Sequence, residues 1–209
     1  MSELPAFNIV MPTDNRFDVP VLRLDKQATH LPGPVVAWGS RLGRATRMLG
    51  TYHFYVDDYR FSALWKHPDG VLKTTCTAAM ETNFSVYDQT PYSVALYQTF
   101  RKRWLSRYWQ TSGLRILVDL NVGERYAGMN LLGVPRGWRA FCTRGYSDRL
   151  DGLEREHGIA VEHASTDDIL FVVVGGGEKV RAFCELRGAI HIPETRDLIR
   201  EQQALEIPA

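Results

Sequence analysis

Cysteine is scarce in this chain. Three residues in 209, Cys76, Cys142 and Cys184, are odd in number and widely spaced. They exclude a disulfide framework and read as reduced thiols of a cytoplasmic protein. No CxxC or HExxH spacing occurs, so a structural zinc site has no support. No apolar run approaches the roughly 20 residues of a membrane helix, and no membrane partner is expected. The opening MSELPAFNIV lacks the charged start and apolar centre of a signal peptide. An excess of one charge is also missing. Lys plus Arg number 25 against 24 Asp plus Glu. That excludes a strongly basic nucleic-acid binder by composition, so any basic surface must be local.

What the chain does have is apolar and aromatic mass, 44% and 11% of residues, enough to bury a full core. Its length suits one domain. Residues 1–50 hold prolines, polar residues and short apolar runs, and read as an irregular N-terminal arm with one strand in PVVAWGS. The following RLGRATRMLG reads as a surface loop or as a basic loop touching phosphate. Residues 51–209 read as a single α/β domain. HFYVDD is a strand, RFSALW a short helix, CTAAMETNFSV contains a strand, and TPYSVALYQTFRKRWLSRYWQTSG is the longest helix. LRILVDLNV, WRAFCTRG, DILFVVVGGG and AIHIP follow as strands. Between them lie short helices in RYAGMNLLG, SDRLDGLEREHG (with Ser147 as N-cap) and EKVRAFCELRG. Such alternation predicts βα units and a mostly parallel sheet, open or partly closed like a barrel.

The long helix has Thr90 as a capping candidate, Pro91 at the favoured first position and Gly113 after its end. At about 100° per residue, Tyr97, Phe100, Trp104 and Tyr108 form one stripe, expected to pack on the sheet. Arg101, Lys102, Arg103, Arg107 and Arg115 lie in or just beyond the same segment, which has no acidic residue. They read as cations snorkelling around a buried aromatic face, or as a nucleic-acid surface. Arg101 points near the middle of the apolar stripe and so needs a carboxylate or an anionic ligand. A buried ion pair with an acid of the first or second domain strand is expected.

In a βα fold, ligands collect at the C-terminal ends of the strands. Period-two spacing puts His53, Tyr55 and Asp57 on one face of the first domain strand, with Asp58 beside them. Glu81, Asn83 and Ser85 share a face of the second, and Asp119 and Asn121 of the third. The fourth ends in Thr143 and Arg144, and the fifth in Gly175, Gly176 and Gly177. Asp57, Glu81 and Asp119 are the candidate catalytic carboxylates. They suit a general base, a Mg²⁺ or Mn²⁺ site, or ion pairs with Arg144, Arg101 or Arg60. Asp58, Asn83, Ser85, Asn121, Arg101, Arg144 and the three glycines are candidate substrate contacts. The stretch VVVGGGEKV reads either as a plain strand-to-helix turn or as an anion site at a helix start, with Lys179 and Arg144 nearby. His53 reads as a hydrogen-bonded core histidine, and Cys142 as a small buried residue.

FYVDDYRFSALW, NFSVYDQTPYSVALYQTFRKRWLSRYWQTSG and GVPRGWRAFCTRGY resemble a bacterial domain-of-unknown-function family (DUF4417-like) associated with phages and other mobile elements. The likeness spans roughly residues 52–146, and the YWQ helix is its most specific part. The family carries a tryptophan soon after the third of these strands, where DLNVGERYAG has none, so no role is carried over for that loop. The resemblance implies phage or mobile-element biology and no particular activity. Two functions are therefore carried forward. One is an enzyme acting on a small phosphorylated or nucleotide-like molecule in the strand-end cleft. The other is a non-catalytic factor binding nucleic acid or a host protein through the basic helix and the arm around Arg41, Arg44 and Arg47.

Overall fold

A computed structural model describes residues 8–40 and 50–194. Seven strands form one parallel sheet in strict chain order: β1 Val35–Ala37, β2 Thr51–His53, β3 Ala78–Met80, β4 Arg115–Asp119, β5 Ala140–Arg144, β6 Leu170–Val174 and β7 Ile190–Ile192. Every neighbouring pair is parallel. The sheet curls into a nearly closed barrel with β1 and β7 at its edges. Each strand is added on the same side of the last through a crossover, so the natural twist accumulates towards closure. Ile116–Val118 and Phe171–Val174 are buried without alternation, the signature of strands covered on both faces.

The described helices are α1 Asp69–Leu72, α2 Tyr92–Thr111, α3 Ala127–Asn130, α4 Leu150–Ala164 and α5 Gly177–Arg187. All seven expected strands are present, but the first helical stretch, RFSALW, is only a pair of 3₁₀ turns over Asp58–Arg60 and Ser62–Trp65. Helix ends differ in detail from the expectation. Ser147 caps nothing; α4 begins after Arg149 without a side-chain cap. Thr90 Oγ1 accepts from the Tyr87 amide at 2.9 Å and serves the preceding turn. Gly113 does follow the end of α2, with φ of +90°.

The core face of α2 is polar, which the stripe reading did not anticipate. Trp104 is buried and Phe100 and Tyr108 half-buried, but Tyr97 is exposed. Thr99, Lys102, Arg103, Ser106 and Gln110 are buried instead, together with Ala95, Leu105 and Trp109. Their spacing of three and four residues makes a second stripe, turned away from the aromatic one.

The arm before β1 is irregular, as expected, but it is docked against the end of the barrel where the strands begin. Gln110 of α2 exchanges bonds with the Arg23 backbone, accepting from its amide at 2.8 Å and donating to its carbonyl at 3.0 Å. The Ala28 amide donates to Ile116 O, and Gln27 Oε1 accepts from the Arg139 amide at 2.6 Å. Leu22 bonds to the Gly133 carbonyl. Gly133 has φ of +72°, and a Cβ there would lie 2.1 Å from Pro20 O, so no other residue permits this crossing. The arm covers the end where the strands begin and leaves the opposite mouth uncovered by it. Arg41, Arg44 and Arg47 lie outside the described residues. The thiols of Cys76, Cys142 and Cys184 are free. Among the described residues no helix is long and apolar enough to cross a membrane.

Candidate functional site

At the mouth, the C-terminal ends of β3 and β4 carry Glu81 and Asp119, both fully buried. Neither is unpaired. Arg103 reaches from α2 to Glu81 Oε1 at 2.5 Å, and Lys102 to Asp119 Oδ2 at 2.8 Å. Side-chain and backbone acceptors satisfy most of what remains. Arg103 donates Nη2 to Asn130 O at 2.6 Å and Nε to Leu132 O at 3.0 Å. The Asp119 amide donates to Glu81 Oε2 at 3.2 Å, and Asn130 Nδ2 to Asp119 O at 2.8 Å. Burial pushes the Glu81 carboxyl above its usual value, with Arg103 and then Lys102 opposing it. Two adjacent buried ion pairs thus clamp α2 to β3 and β4. Such an arrangement is tolerated only when each member is paired and hydrogen-bonded.

Asp119 also accepts from the Tyr55 hydroxyl at 2.9 Å. Cys142 is its register partner on β5, so the two share a face of the sheet, as does Arg144 two residues on. Burial, then the Asp119 carboxylate, raises the Tyr55 phenol and the Cys142 thiol well above their usual values. Cys142 is therefore no thiolate nucleophile, in line with its reading as a small buried residue. His53 stacks on Tyr55 with ring centroids 5.9 Å apart. Burial, then the nearby Arg144 cation, lowers its imidazole to about 4, so the ring is neutral at pH 7. Its Nδ1 is buried with no partner.

Arg144 spans the mouth. Its Nη1 donates to Tyr55 O, beyond β2, at 2.8 Å. Its Nη2 pairs with Glu194, beyond β7, at 2.5 Å. Arg144 also lies 5.6 Å from the Tyr146 ring, and the exposed Arg149 stacks on that ring at 3.9 Å. Gly175, Gly176 and Gly177 all have positive φ. Glu194 packs on the first of them: a Cβ on Gly175 would fall 2.8 Å from its Oε1. The guanidinium, the glycine turn and the carboxylate together form a half-buried polar cluster. Arg144 and the glycines were sequence candidates. Glu194, Arg149 and Tyr146 were not; Glu194 comes beside Arg144 through the register of β5, β6 and β7, in which Arg144, Val174 and Ile192 lie side by side.

The remaining candidates separate. The carboxylates Asp57, Glu81 and Asp119 do not form one group, and among the described residues no three His, Cys, Asp or Glu side chains are set to hold a metal ion. Asp57 is exposed and starts a 3₁₀ turn. Asp58 accepts from Ser85 twice, at its amide (3.1 Å) and hydroxyl (3.0 Å), tying the loops after β2 and β3 together. Asn121 Nδ2 donates to Asn83 Oδ1 at 3.3 Å, and the Asn121 amide to Asp119 Oδ1 at 3.1 Å. So the adjacent aspartates do different work, one in solvent and one as a loop tie.

Among the described residues Arg101 makes no ion pair, contrary to expectation. Its guanidinium lies 3.9 Å from the centre of the Phe84 ring, 5.5 Å from Trp65 and 5.6 Å from Tyr97, and it donates to Gln98 at 2.9 Å. Aromatic faces replace the carboxylate. Cation–π contact contributes about 0.5–2 kcal/mol, so Arg101→Ala should lose that much in urea denaturation. A loss above about 3 kcal/mol would mean that an ion pair holds Arg101 after all.

A family comparison places this mouth in context. The model for the domain of unknown function DUF4417 matches residues 11–150. The chain belongs to this family. The matched stretch holds β1 to β5, α2, the four buried charges, Tyr55 and Arg144; β6, the glycine turn, β7 and Glu194 lie beyond it. The chain is also similar to the Gene 1 proteins of two mycobacteriophages. It is 30% identical to that of phage D29 over 113 residues, covering 52% of this chain and 41% of that protein. To that of phage L5 it is 29% identical over 109 residues, covering 50% and 46%. The chain thus matches less than half the length of either phage protein. No solved structure matches it. Across the boundary of the matched region, a second polar spot lies beneath α4. Glu156 accepts from Thr143 Oγ1 at 2.6 Å, and Asn130, whose Oδ1 is buried without a partner, lines the same small cavity.

Proposed function

We propose that this member of a phage family binds a small phosphorylated or nucleotide-like anion at the barrel mouth, working in the cytoplasm, where its thiols stay reduced. Arg144 is the anchor. The observation that carries this reading is its half-buried guanidinium, aimed across the strand ends at a carboxylate seated on a glycine turn. That is the chemistry a phosphate or carboxylate ligand needs, at the edge where parallel βα folds bind ligands. The neutral His53 imidazole, with Nδ1 unpartnered, is a polar contact for the same ligand. Glu81 and Asp119 serve as scaffold, since their charges are spent on Arg103 and Lys102. Calorimetric titration with inorganic phosphate and with nucleoside monophosphates tests the reading. Arg144→Ala should weaken binding at least tenfold with an unchanged circular dichroism spectrum. Equal affinity in the variant and the parent would sink it.

One observation favours a macromolecular partner instead. Tyr59, Tyr87, Tyr92 and Tyr97 are 46–71% exposed, all in the loops after β2 and β3 and the first turns of α2. Exposed tyrosines stack on bases and anchor protein interfaces. Salt separates the two. Phosphate-backbone binding falls steeply with ionic strength, whereas a clamp for one small anion changes little.

A further inference from the structure

We infer that Glu194 is a built-in competitor for the anion site, so that the chain's own carboxylate holds Arg144 until a phosphorylated ligand displaces it. This rests on the ligand reading above and adds its regulation. Glu194 comes from the segment after β7, an edge strand, and reaches the end of β5, two strands away in the sheet. Its carboxylate meets Arg144 Nη2 at 2.5 Å and packs on Gly175. The neighbouring His191 Nε2 lies 3.0 Å from Gly175 O, which keeps the residues after β7 against the glycine turn. The carboxylate therefore occupies the space beside the guanidinium that a ligand oxygen would take.

The contact is placed to open. The two side chains are 23% and 19% exposed, unlike the fully buried pairs of α2. When the carboxylate leaves, Arg144 keeps its bond to Tyr55 O and so stays aimed at the mouth. Arg149, stacked on Tyr146, provides a second cation nearby. A dianionic phosphate carries more charge than the internal carboxylate and gains from both cations, which favours it at the site. Because the internal group is tethered, it competes at a high effective concentration. The apparent ligand affinity then falls by the fraction of molecules in which the site is open.

The test is calorimetric titration of the full chain with inorganic phosphate, in the parent, Glu194→Gln, Glu194→Asp and Arg144→Ala. Glu194→Gln keeps the shape and removes the charge, and should bind phosphate about tenfold tighter or more. Glu194→Asp, which withdraws the carboxylate by one methylene, should fall between it and the parent and gives the same readout if the glutamine variant fails to fold. Adding Arg144→Ala to either should abolish the gain. If the parent binds phosphate through Arg144 but both Glu194 variants match it, the competitor role is wrong and the anion site stands. If phosphate binds none of these proteins, or binds all of them irrespective of Arg144, both are wrong. Binding by the Glu194 variants alone would show a site that the parent keeps closed.

Discussion

Arg103→Ala is expected to cost about 3–5 kcal/mol of stability, the usual consequence of leaving one buried charge without its partner. The Arg103 side chain is fully buried and donates to Glu81, Asn130 and Leu132. Its removal strands the Glu81 carboxylate beside Asp119 and leaves two carbonyls unserved. In a chain of this length such a loss lowers the melting temperature by on the order of 10 °C. Urea denaturation gives the cleaner number, because a shift in midpoint at constant slope isolates stability. A second variant, Arg103→Met with Glu81→Leu, removes both charges and should recover much of the loss. An unchanged midpoint in Arg103→Ala would show that the pair is solvated and contributes little.

The second large effect is a pH dependence. Burial raises the Glu156 carboxyl from its ordinary 4.5 to about 8. The Thr143 bond pulls the other way, the Asp119 charge adds to the rise, and Arg155 and Arg149 oppose it. Between those two values the folded state holds a proton that the unfolded state has released. The contribution is therefore full below about pH 4.5 and is lost as pH rises through about 8. The slope reaches about 1.4 kcal/mol per pH unit. Glu156→Gln keeps an acceptor for Thr143 and cannot ionise. Its melting temperature should therefore exceed the parent's by a margin that widens from pH 5 to pH 8 and then levels off. A margin independent of pH would mean that Glu156 is charged throughout.

The strands were legible because a parallel strand covered on both faces leaves a plain trace: ILV, AF and LFVVV are apolar without alternation. The partners of charged residues were not. Periodicity assigns a helix face from residue type, and in α2 it chose the aromatic stripe while the protein buries Lys102 and Arg103. Their burial depends on Glu81 and Asp119, which lie on strands, and the sequence carries no term for that pairing. Arg101 failed in the opposite sense, since rings from three separate segments supplied what a carboxylate was expected to supply. At the mouth, Asp119, Arg144 and the glycines stood out as strand-end polar groups. Glu194 did not, because its place beside Arg144 follows from the register of β5, β6 and β7, which sets Arg144, Val174 and Ile192 side by side and which the sequence does not show.

The strict chain order of the strands has a consequence for how the molecule is made. Each strand pairs only with its neighbours in chain order, so no strand skips over another to find its partner. The sheet can therefore lengthen stepwise as the chain leaves the ribosome. The same layout makes the last units exchangeable. A lineage can replace everything after α4 without rethreading the sheet, keeping Arg144 while changing what faces it across the mouth.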